Sequence, residues 1–132
     1  MGVANKIAHP VLNPQSIYAF YGSLRRGMSN YRHYSNGLSY LFTESLGGYG
    51  LYAMKYYPYA VETGNTSDVT VVEVFKITDT LIEQEIHELE IGVGYVYREV
   101  MIRNEQTGIY LFEKPGSEPL VNGGDWVKFF GS

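Results

Sequence analysis

The stretch Ile17-Tyr-Ala-Phe-Tyr-Gly-Ser-Leu-Arg-Arg-Gly27 constrains the fold of this chain more than any other. An apolar run rich in β-branched and aromatic residues stops at Gly22-Ser23, which reads as a strand ending in a tight turn. Gly22 lets the backbone turn and leaves no side chain to hold a ligand away. The N–H groups of Gly22, Ser23 and Leu24 then converge into a small anion-binding hollow. A hollow at the mouth of a sheet suits a substrate carboxylate or a developing oxyanion. The plainer alternative is a surface turn followed by two solvated arginines.

At 132 residues the chain is expected to form a single domain, 1–132, large enough to bury a core without staples. It has no cysteine, so disulfides and cysteine-based metal sites are excluded, as a reducing, cytoplasmic location would favour. A formal charge of −4 gives no basic footprint for nucleic acid. No apolar run approaches the roughly 20 residues of a membrane span. The first ten residues lack a signal-peptide core, and Lys6 stands where a myristoylation signal wants Ser or Thr. The 13 tyrosines favour strands over helices.

Along the chain, 1–15 reads as a polar N-terminal arm ending in the turn signal Asn13-Pro14. Strands are expected over 16–21, over a glycine-rich stretch at 46–54, at an edge beginning at Tyr57-Pro58, over 69–77 and over 95–103. Residues 28–37 fit a short helix or an irregular loop. Gly108 is placed at the centre of a hairpin returning through 109–113, and 125–130 as a tail or short strand anchored by Trp126. One helix is expected at 80–90, with Thr80 and Glu83 as a capping box and Gly92 and Gly94 as its stop. The expected class is α+β: a mixed β-barrel or strongly curved sheet with one main helix.

Glu90 is the second candidate for chemistry. It falls at the margin of the apolar face formed by Leu81, Ile82, Ile86 and Leu89. It also stands at the helix C-terminus, where the macrodipole disfavours negative charge. Both placements raise a carboxyl pKa toward the range a proton shuttle needs. The alternative is a solvated helix-end glutamate like Glu83, Glu85 and Glu88. His9, His33 and His87 show no metal-ligand spacing, and His87 is read as solvated on the polar face. Arg25 and Arg26 have the reach to hold a substrate carboxylate. No Ser-His-Asp or Cys-His set is arguable, and no metal or cofactor is called for.

These sites together resemble the gamma-glutamyl cyclotransferase-like family, which includes gamma-glutamylamine cyclotransferases. Tyr21-Gly-Ser-Leu-Arg-Arg-Gly27 is similar to its opening motif, and Tyr57-Pro58 to its Tyr-Pro segment. Glu73-Val-Phe-Lys-Ile77 resembles its central strand, Ile86-His-Glu-Leu-Glu90 its helix end, Tyr97-Arg-Glu-Val100 a later strand, and Gly124-Asp-Trp126 a C-terminal segment. The ordered set covers about residues 17–127. The chain departs from the pattern at Val72 and Ile91, where glycines are usual, at His87, where an aspartate is usual, and at Val96, where a tyrosine is usual.

The resemblance implies cleavage of a small-molecule gamma-glutamyl amide by internal attack of its α-amine, giving 5-oxoproline and a free amine. It assigns the acid–base role to Glu90 and the substrate cradle to Tyr21, Gly22, Ser23, Leu24, Arg25 and Tyr57. A tethered nucleophile asks only for shape, an anion cradle and one proton shuttle. Two rivals stand beside it: a binding protein that keeps the cradle without turnover, and a barrel that binds a peptide or single strand on its tyrosines.

Overall fold

The computed structural model describes residues 13–131. The arm expected over 1–15 falls largely outside the described residues. Its last part is an ordered turn: Ser16 N–H donates to the Asn13 carbonyl at 2.9 Å and Gln15 N–H to Asn13 Oδ1 at 3.1 Å.

The seven strands among the described residues are β1 (Ile17–Phe20), β2 (Leu38–Gly47), β3 (Tyr49–Ala53), β4 (Pro58–Glu62), β5 (Val69–Ile77), β6 (Val96–Ile102) and β7 (Glu105–Leu111). The helices among the described residues are α1 (Ser29–Tyr34), α2 (Thr80–Val93) and α3 (Trp126–Phe130). Five strands form a mixed sheet in the order β2-β5-β1-β7-β6, with β1 and β7 parallel and the other pairs antiparallel. β3 and β4 form a separate antiparallel pair. The architecture is α+β, and the sheet is not closed into a barrel.

Every residue of β1 is buried, as expected of a central strand whose sequence is apolar without alternation. Val72, Val74 and Phe75 of β5 have no exposed surface. The β3–β4 pair docks through the Phe112 N–H, which donates to the Ala60 carbonyl at 3.0 Å, and through two buried tyrosines. Tyr21 accepts the Ala60 N–H on its hydroxyl oxygen and donates to the Tyr110 carbonyl, while Tyr95 donates to the Pro58 carbonyl.

Several local expectations are corrected. The strand read over 46–54 is two strands, because Gly48 turns the chain at φ +90° and begins a new antiparallel run. The helix is capped by Asp79, whose side chain accepts from the Leu81 and Ile82 N–H groups, rather than by Thr80. Its Glu83 accepts from Ser16 and Tyr18 hydroxyls instead of closing a capping box. The helix runs through Gly92 to Val93 and ends where Gly94 adopts φ +119°.

The hairpin turn lies at Arg103-Asn104, both at positive φ, rather than at Gly108. Gly108 sits within β7 because a Cβ there would stand 2.7 Å from the Tyr97 ring and 2.9 Å from the Tyr18 ring. The C-terminal segment is a short helix, capped by Asp125 and anchored as expected by buried Trp126, which stacks on Phe129 and Phe130.

Candidate functional site

β1 ends in the middle of the sheet, so the chain leaving it turns over the sheet's mouth. There the Arg25 N–H donates to the Gly22 carbonyl at 3.0 Å, and the Tyr31 N–H donates to the Ser23 carbonyl at 3.0 Å. The Gly22 and Ser23 carbonyls are therefore spent on the protein. The N–H groups of Gly22, Ser23 and Leu24 have no acceptor among the described residues. Asn30 of α1 donates from Nδ2 to Ser23 Oγ at 2.8 Å, which leaves the serine proton for another acceptor.

These groups border a cavity of about 290 Å³. Its inner wall includes Tyr21, Tyr95 and Tyr110, and its outer rim includes Tyr56, Tyr57 and Val93. Pro58 forms part of the wall and explains a second requirement for glycine at 22: a Cβ there would stand 2.9 Å from Pro58 Cδ. Glu90 enters the same cavity from the last turns of α2. Its backbone carbonyl accepts from the Gly94 and Tyr95 N–H groups at 3.3 and 3.1 Å, which fixes the helix end. Its side chain pairs with no basic group among the described residues, and burial pushes the carboxyl up to about 7. The phenols of Tyr21, Tyr95 and Tyr110 are pushed up as well, chiefly by burial, so they remain neutral hydrogen-bonding groups near neutrality.

Of the residues singled out in the sequence, Tyr21, Gly22, Ser23, Leu24, Tyr57 and Glu90 all border this cavity. Arg25 does not. Its guanidinium is buried, with Nε 2.9 Å from Glu73 Oε2 and Nη1 2.7 Å from Asp125 Oδ1, so it joins β5 to the start of α3 and is not available to a substrate carboxylate. Arg26 shares Glu73 and lies over the Tyr40 ring at 3.6 Å. The sequence reading also missed Asn30, Tyr95 and Tyr110. Tyr95 carried a signal, since it flanks the position where Val96 departs from the family's tyrosine. His87 is half-buried rather than solvated, with Nδ1 2.8 Å from the Tyr110 hydroxyl.

No helix among the described residues is long and apolar enough to cross a membrane. No curated protein matches the chain. Among solved structures, an uncharacterised protein from Pyrococcus horikoshii is 30% identical over 86% of this chain and 92% of its own, with a TM-score of 0.73. The ytfP protein of Escherichia coli is 28% identical over 86% of this chain and 98% of its own, with a TM-score of 0.67. An AIG2-like protein from mouse shares the fold at 11% identity, with a TM-score of 0.62 over 84% of this chain and 87% of its own. The profile of the gamma-glutamyl cyclotransferase, AIG2-like family matches residues 18–128, which contain the Gly22 turn, the whole of α2 and the Asp125-Trp126 anchor. Because that match runs across most of the chain and includes both sides of the cavity, the chain belongs to the gamma-glutamyl cyclotransferase, AIG2-like family.

Proposed function

We propose that the cavity cleaves a gamma-glutamyl amide by intramolecular attack, releasing 5-oxoproline and a free amine. The observation that carries this reading is a partly buried carboxyl, Glu90, pushed up to about 7 in the same cavity as three unspent N–H donors. Near neutral pH such a carboxyl is half-ionised, so it both accepts and returns a proton. The nucleophile is tethered to its electrophile, so folding the substrate back supplies much of the acceleration.

In the proposed sequence Glu90 takes a proton from the substrate's α-ammonium. The freed amine attacks the γ-carbonyl and forms the five-membered ring. The C–N bond to the leaving amine then breaks as Glu90 returns its proton to that nitrogen, and the ring nitrogen passes its surplus proton through the ionised Glu90 to the departing amine, which leaves as an ammonium beside the neutral lactam. The N–H groups of Gly22, Ser23 and Leu24, with the Ser23 hydroxyl, hold the anionic part of the glutamyl group. Tyr57 and its neighbours at the rim exclude water. The absence of cysteine suits the reducing cytoplasm as the place of action.

The test compares wild type with Glu90→Gln on several gamma-glutamyl amines, following release of 5-oxoproline. The variant keeps size and hydrogen bonding but cannot shuttle a proton, and its turnover should fall about 10²–10⁴-fold while substrate still binds. Equal rates would remove Glu90 from the mechanism. If wild type releases nothing from any amide yet binds them, the site belongs to a binding protein instead.

A further inference from the structure

We propose that His87 is a positioning residue for Tyr110: its Nδ1 accepts the Tyr110 hydroxyl proton and turns the phenol's lone pairs into the cavity, where they hold an N–H of the attacking amine beside Glu90. The inference rests on the cyclisation reading above and adds two residues to it.

Tyr110 is held from several sides in the cavity wall. Its ring is 2% exposed and stacks on Tyr18 with the ring planes 2° apart. Its backbone carbonyl accepts from the Tyr21 hydroxyl, and its own hydroxyl lies 2.8 Å from His87 Nδ1. Only the rotation of the hydroxyl proton is left, and its partner decides that. A hydroxyl that donates to an imidazole nitrogen presents lone pairs elsewhere, whereas one that accepts from it presents its proton.

His87 and Glu90 stand three residues apart on α2, so they lie on neighbouring positions of one face. The Glu90 carboxylate acts electrostatically on the Tyr110 hydroxyl. Glu83, Tyr18, Tyr21 and Tyr97 are further titratable groups packed around the pair. Deprotonation by Glu90 leaves an amine with two N–H bonds and one lone pair, and its attack requires the lone pair to face the γ-carbonyl. A fixed acceptor for one N–H sets that orientation, which is the kind of constraint that proximity catalysis depends on.

The experiment measures kcat and KM for Tyr110→Phe, His87→Ala, the double variant and His87→Asn on a gamma-glutamyl amide. Each of the first two should lower kcat about tenfold with KM nearly unchanged. The double variant should be no worse than either single one, because both remove the same orientation. His87→Asn offers a carbonyl oxygen near the Nδ1 position and should restore most of kcat. Should the alanine variant fail to fold, His87→Leu fills the space of the ring. Multiplicative losses, or an unchanged Tyr110→Phe enzyme, overturn the proposal.

If wild type turns over no amide, the cyclisation reading fails on its own. The positioning of Tyr110 is then read from calorimetric binding of 5-oxoproline, whose ring N–H takes the place of the amine's. Equal weakening in Tyr110→Phe and His87→Ala supports it. Unchanged affinity, or no binding by wild type, overturns it.

Discussion

A buried carboxylate, Glu73, and a half-buried one, Glu90, flank the turn after β1, and they differ in company. Glu73, in the middle of β5, meets the guanidinium of Arg25 at 2.9 Å and that of Arg26 at 3.1 Å, and it accepts the Arg26 N–H as well. Glu90, at the end of α2, has no cation beside it among the described residues, and its carboxyl rises to about 7. The first is a strut: its charge is matched on every side and it ties the turn to the sheet. The second is a reagent: burial without a partner makes its protonation state easy to change near neutral pH. One turn of backbone thus separates a carboxylate fixed for structure from one left reactive, and the turn's residues Gly22, Ser23 and Leu24 border the cavity that holds the reactive one.

The largest effect should come from breaking the strut. Glu73→Ala leaves the Arg25 guanidinium, whose side chain is 7% exposed, with Asp125 as its one remaining carboxylate. Removing one partner of a buried pair costs about 3–5 kcal/mol. Urea unfolding should show that loss, together with a disturbed cavity, since Arg26 and the turn lose their anchor. A loss below about 1 kcal/mol would mean that the pairing at Glu73 adds nothing to the fold.

Relieving the reagent should have the opposite sign. Glu90 binds its proton more tightly folded than unfolded, with its carboxyl raised from 4.5 to about 7. The unfolded chain therefore holds fewer protons between these values, and stability falls as pH rises through that window. Above it the cost amounts to about 3 kcal/mol. Glu90→Gln removes this dependence. It should be more stable than wild type at pH 8 and indistinguishable from it near pH 4, by thermal or urea unfolding at each pH. Parallel stability curves for the two proteins would show that Glu90 is not strained in its place. In activity, wild-type kcat/KM should climb through an acid limb near pH 7, the value at which Glu90 ionises.

The contrast between strut and reagent also marks what the sequence could disclose. Glu90 was visible because local spacing places it: its position on α2 and the end of that helix follow from residues within two turns. The strand Val69–Ile77 was visible with its full extent because it is rich in β-branched residues, lies between Asp68 and Asp79, and has all but Lys76 at least partly buried. β2 left no comparable mark, since most of its residues are exposed along an edge and its register shifts between Tyr40 and Phe42. The misreading of Arg25 as a substrate ligand has the same root. Its partners lie 48 and 100 residues away, and nothing near it in the chain announces them. Gly108 and His87 were misread because their roles are set by Tyr18, Tyr97 and Tyr110, which approach from other elements.

A smaller effect should follow at the turn itself. Gly22→Ala places a Cβ 2.9 Å from Pro58 Cδ, so one of the two must shift, and the shift is costly because the proline ring is held in β4. Overpacking of this kind costs about 1–3 kcal/mol. Because Pro58 walls the cavity, ligand affinity should drop along with stability. An effect on affinity alone would mean that the turn serves only the ligand. An effect on stability alone would mean that it serves only the fold.

The smallest effect belongs to Arg26, and it sharpens the comparison most. Its side chain is 46% exposed, yet it reaches Glu73 at 3.1 Å and covers the Tyr40 ring at 3.6 Å. Half-exposed ion pairs contribute less than about 1 kcal/mol, and an exposed cation–π contact adds about 0.5–1 kcal/mol. Arg26→Ala should therefore cost about 1 kcal/mol in unfolding free energy. The backbone N–H of residue 26 still donates to Glu73 in that variant, and Arg25 still pairs with it. The strut survives, so Glu90 should titrate as before and the kcat/KM profile should keep its limb. A shift of that limb in Arg26→Ala would join the two carboxylates into one electrostatic unit, and the division between strut and reagent would have to be abandoned.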